Sequence, residues 1–157
     1  LELARAELEK LEAIKTAPNS GGNRAGATAT TEIVALAAHG LRGEIQLAMG
    51  DLEGAIESFE AGVAVEDTNN YTEPPDWPQS MRLYLGSALL RAGRYAEAQG
   101  VFERDLQWNQ NNGWTLFGLT QALRGQNLSV AADAHDLQWE KAWASADLHL
   151  TEAVVLD

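Results

Sequence analysis

Apolar residues return every three or four positions through most of this chain, and polar or glycine-rich stretches interrupt them. Leu1, Ala4, Leu8, Leu11 and Ile14 form one such series, with Glu and Lys filling the other face. That spacing predicts an amphipathic helix over residues 1–16. The stretch APNSGGNRAGATAT over 17–30 breaks the series and reads as a flexible loop. Helical spacing resumes over 31–50, with Thr30 or Thr31 placed to cap it. It continues over 51–67, where Leu52, Ala55, Ile56, Phe59 and Val63 make a continuous stripe. After the loop TNNYTEPPDWP come QSMRLYLGSALLRAG and RYAEAQGVFERDLQWN, then GWTLFGLTQALRG and a longer segment that closes on LHLTEAVVLD. Mostly helix is expected, with breaks near 17–30, 68–76 and 109–112.

Glycines punctuate this pattern at a fixed interval. Gly43 and Gly50, Gly86 and Gly93, and Gly118 and Gly125 are each seven residues apart. A period of this kind marks an internal repeat of helix pairs. The first glycine of each pair would let the two helices approach closely. Ala55 and Ala98 would do the same from the facing helix, with Phe59 and Phe102 filling the space between units. A helix pair cannot bury its apolar face alone, so neighbouring pairs must stack.

The residues Leu85, Gly86, Leu89, Gly93, Tyr95, Ala98 and Phe102 resemble a tetratricopeptide repeat. Gly43, Gly50, Leu52, Ala55 and Phe59 are similar to a second copy. Trp114, Phe117, Gly118 and Gly125 resemble a third, whose second helix departs from the pattern because no Ala and Phe fall at the usual offsets after Gly125. The usual proline after the second helix is absent from all three copies. Residues 31 to about 150 are also similar to the C-terminal part of long bacterial tetratricopeptide-repeat proteins of unassigned function.

The resemblance implies an all-α, right-handed α-solenoid of antiparallel helix pairs. Its repeats would span 31–67 and 77–109, with a divergent C-terminal repeat and cap over 112–157. Residues 1–16 would be the second helix of a preceding repeat. The opening Leu-Glu-Leu-Ala reads as the start of an excerpt from a longer array. In such arrays the first helix of each pair lines a concave face. Offsets from the glycines carry that face onto Glu44, Leu47, Leu83, Ser87, Leu90, Arg91, Thr115, Leu119 and Leu123. This strip of mixed polarity suits an extended peptide or a helix. The basic and asparagine clamp that some members close on a C-terminal carboxylate is not met. Only Arg91 and Asn112 come near it. If the strip is an open groove, Leu90→Asp with Leu119→Asp weakens association and leaves melting nearly unchanged.

Composition narrows the partner. Eleven Lys and Arg against 23 Asp and Glu give a net charge of −12, which argues against nucleic-acid phosphates and anionic membrane surfaces. No apolar run approaches the ~20 residues of a membrane span. There is no cysteine, so disulfides, thiolate metal sites and a cysteine nucleophile are excluded.

Candidate chemistry is sparse. In the loop Glu73-Pro74-Pro75-Asp76-Trp77-Pro78 the prolines stiffen the chain, and Asp76 and Pro78 suit the start of the next helix. The same loop could instead rim a ligand or cation pocket with Tyr71, Glu73, Asp76 and Trp77. His39, His135 and His149 have no metal-ligand spacing, and no nucleophile elbow or phosphate loop occurs. Trp108, Trp114, Trp139 and Trp143 gather late in the chain and read as packing at the end of the array, with a binding platform as the other reading. Asn70 and Asn127 open glycan-acceptor triplets. The expectation is a non-catalytic module without cofactor, binding a protein or peptide through its groove. Self-assembly into a homo-oligomer or fibre is the alternative, and a metal- or ligand-dependent enzyme built on the proline loop is a third.

Overall fold

Each break in the apolar spacing becomes a helix end. The computed structural model describes residues 1–15, 30–69 and 75–154. Most of the expected 17–30 loop, and Tyr71 and Glu73 of the proline loop with Asn70, lie outside the described residues. The described residues form α-helices and no strand: α1 (Glu2–Lys15), α2 (Thr30–Ala48), α3 (Leu52–Glu66), α4 (Met81–Arg91), α5 (Tyr95–Leu106), α6 (Gly113–Gly125) and α7 (Ser129–Trp143). The chain divides into two compact units, Leu1–Met81 and Arg82–Asp157. Helices that follow one another in each unit pack together.

In the first unit α2 packs on both α1 and α3. Phe59 of α3 is fully buried with its ring on Gly43 of α2, where a Cβ would overlap it. Gly50 takes φ +79°, the left-handed conformation that ends a helix without a Cβ penalty. Asp51 then caps α3 by accepting from the Gly54 N–H at 3.0 Å. α1 buries no residue fully, and its Glu12 accepts from Arg42 of α2 at 2.6 Å.

Two capping expectations change. α2 starts at Thr30, so Thr30 and Thr31 are both inside its first turn. α4 starts at Met81, which places Asp76 and Pro78 before the helix. Its first N–H donates instead to the Glu66 carboxylate at 3.1 Å, and Ser80 Oγ approaches the same group at 3.3 Å. A carboxylate is a favourable acceptor at the positive end of a helix.

In the second unit the Phe102 ring of α5 lies against both Gly86 of α4 and Gly118 of α6. Phe102 reaches Gly118 of the following helix, as a filler between helix pairs would, but it also covers Gly86 of its own pair, where Ala98 was expected; both neighbours lack a side chain. Gly86→Ala puts a methyl into a rigid ring and is expected to cost about 1–3 kcal/mol by overpacking. Chemical denaturation reads this, and an unchanged midpoint would show the ring free to move.

Gly93, at φ +71°, ends the α4 segment as Gly50 ends α2. The third turn is different. Gly125 is still helical and lies under the Tyr95 ring, and the left-handed residue is Asn127, at φ +62°. Asn tolerates this conformation better than most residues. Counting five residues on from Gly50, Gly93 and Asn127 reaches Ala55, Ala98 and Ala132, all fully buried. The third alanine therefore exists, two residues later than the count from Gly125 expected. The position matching Phe59 and Phe102 is Asp136, which pairs with Arg124.

Candidate functional site

That two-residue displacement decides which side chains of α6 can meet a ligand. An α-helix turns through roughly 100° per residue, so a slip of two carries a residue about 200° round the axis. Thr115 and Leu119 were expected on an open groove, with Leu123. All three are buried, Leu119 to 1 % exposure. Thr115 Oγ1 donates at 2.5 Å to Asp105, a buried carboxylate that also accepts from Asn109 Nδ2 at 2.9 Å. Thr115 thus satisfies a buried acceptor between α5 and α6. Leu83 of α4 is buried as well. These residues are core.

Counted from the left-handed residues, the register recovers an actual concavity. Ser87, Leu90 and Arg91 stand six, three and two positions before Gly93. The same offsets before Asn127 give Gln121, Arg124 and Gly125. All six line one cavity of about 430 Å³ within the second unit, together with Tyr95 and Phe117. The expected Ser87, Leu90 and Arg91 are brought together there. Gln121, Arg124 and Phe117 were missed, and the signal that finds them is Asn127 as the turn residue. Glu44 and Leu47 belong to α2 in the first unit, Glu44 exposed and Leu47 half-buried. Partial burial of its carboxyl pushes the Glu44 pKa upward, though the residue as a whole is open to water, which screens the effect.

The remaining wall of the cavity is the chain's own last stretch. After α7 the backbone leaves helical geometry, and Thr151, Glu152 and Ala153 border the cavity. Arg91 Nη2 meets Glu152 at 2.5 Å. Ala153 is buried beside Gly118, and Leu150 and Val154 are buried too. Trp143 Nε1 donates to the Leu148 carbonyl at 2.7 Å and fixes where the stretch begins. Ser87 Oγ is buried in the wall with no hydrogen-bond partner among the described residues.

The late tryptophans separate into two groups. Trp143 packs edge-on against Trp114 with centroids 5.5 Å apart, and Trp139 meets Phe117 at 5.6 Å. Both pairs join α7 to α6, as the packing expectation has it. Trp108 does not take part. It is 70 % exposed, with Arg104 over its ring. His39 is half-buried on α2, and burial, followed by the charges of Lys15 and Arg42, lowers its pKa against the smaller opposing pull of Glu12. Among the described residues no group of three or more His, Asp or Glu could hold a metal ion, and no helix is long and apolar enough to cross a membrane. Comparison with protein-family models, with curated proteins and with solved structures gave no match.

Proposed function

We propose that this chain is a tetratricopeptide-like right-handed solenoid and acts as a non-catalytic module that binds an extended peptide of a partner protein. The observation that carries the proposal is the cavity whose walls repeat. Two successive helix pairs contribute side chains at the same three offsets from their left-handed residues, as a solenoid's concave face does. The lining mixes an apolar surface from Leu90 and Phe117 with the polar groups of Ser87, Gln121 and Arg124. Apolar contacts of this kind supply affinity, and a few placed polar groups fix the register of the bound chain.

A display library of random peptides selected on the whole chain tests the proposal. Leu90→Asp and Gln121→Glu alter only the half-buried wall of the cavity. Each is expected to weaken the selected peptides by about ten-fold or more with helicity retained, because both act in the centre of the contact. Peptides that bind the variants as well as the parent would place the contact elsewhere.

A further inference from the structure

The stretch from Leu148 to Val154 behaves chemically as a bound peptide. It is non-helical, yet it buries Leu150, Ala153 and Val154. Glu152 provides its charged contact, on Arg91, and Ala153 fits the gap left by Gly118. It is connected to α7 by the exposed residues Ala144 to Asp147. Its anchorage is weak where it is charged. The side chains of Arg91 and Glu152 are 36 % and 46 % exposed, and exposed ion pairs exchange readily for others.

The groove has more recognition capacity than this stretch uses. About 430 Å³ stays open beside it. Gln121 and Tyr95 border that space, and Ser87 offers a buried hydroxyl without a partner among the described residues. Such a hydroxyl costs free energy until something bonds to it. Arg124 adds a second guanidinium, held by Asp136.

We propose that residues 148–154 are an internal ligand, and that the groove takes from a partner protein an extended peptide with an acidic residue followed directly by a small apolar one. The internal segment and the partner peptide compete, so the free chain is partly closed to its partner. This rests on the peptide-groove function proposed above and adds the ligand's chemistry and its control. Charge complementarity selects the acid, since the cavity wall carries the guanidinium groups of Arg91 and Arg124. The gap above Gly118, where a Cβ would already touch Ala153, selects the small residue.

The probe is a fluorescent synthetic peptide with the sequence of residues 147–154, titrated by anisotropy into the chain of residues 1–157. Ala153→Asp unseats the internal segment, and Glu152→Lys removes only its exposed ion pair. Both variants are expected to bind the probe about ten-fold or more tightly than the parent, since an occupied groove lowers the competent fraction. Replacing the probe's Glu by Gln, or adding Arg91→Glu to the Glu152→Lys chain, is expected to abolish the gain. In the parent, the amides of 148–154 are expected to exchange with solvent far faster than those of α6. Protection equal to α6, or no gain in either variant while library peptides still bind the parent, overturns the internal ligand and leaves the groove standing. Binding of neither probe nor library peptide by the Glu152→Lys chain overturns both. Dimerisation of the variants without probe uptake assigns the groove to a second copy and also overturns the proposal.

Discussion

Leu119→Asp is expected to destabilise the second unit by about 3–5 kcal/mol, the scale of an uncompensated buried charge. Leu119 is 1 % exposed and sits between Gly118 and the buried Thr120. An aspartate there loses its water. Leu90→Asp, at a half-buried position on the cavity wall, is expected to leave the melting temperature close to the parent's. The double variant must therefore melt with the Leu119 component. This reverses the outcome that an open groove through Leu119 would require. Four of the five tryptophans, Trp108, Trp114, Trp139 and Trp143, belong to the second unit, so denaturation followed by tryptophan fluorescence reports on that unit. A parent-like transition for Leu119→Asp would return Leu119 to the groove and undo the register drawn from Asn127.

The helices were legible because their cause is local. Apolar spacing and turn glycines set α1 to α6 to within a few residues, but Phe102 was expected only between helix pairs, with Ala98 facing Gly86, and its ring lies on Gly86 as well as on Gly118. The site was legible only for α4. There the turn residue is Gly93, the seven-residue interval holds, and Ser87, Leu90 and Arg91 fall on the cavity. In α6 two glycines, Gly118 and Gly125, keep the interval for a different reason. Each makes room for an aromatic ring, Phe102 and Tyr95, and neither takes the left-handed conformation of a turn. A spacing cannot distinguish a glycine required by a left-handed turn from one required by a close neighbour. The alanine at Ala132 and the salt-bridged Asp136 would have exposed the slip had the count begun at Asn127. The seated segment had no comparable signal. Leu148 to Val154 has apolar residues enough for a helix end, and its non-helical course depends on a groove that other helices create.

The second large effect is expected from Phe102→Ala, at roughly 3–5 kcal/mol for a cavity in a filled core. Phe102 is completely buried, and its ring touches Gly86 on one side and Gly118 on the other. Neither glycine has a side chain that could relax into the space, so little of the void closes. The same geometry makes a sharper test through coupling. In the parent, Gly86→Ala forces a methyl against the ring. In the Phe102→Ala chain that methyl enters vacated space and is expected to be neutral or stabilising. The double-mutant cycle should then give a coupling of about 1–3 kcal/mol, the range for residues in direct contact. Ala98, fully buried one turn earlier on α5, serves as the control, because no glycine in α4 or α6 faces it as closely as Gly86 faces Phe102. Costs that simply add would mean that the ring does not rest on Gly86, and the close packing of α4 on α5 would lose its physical basis.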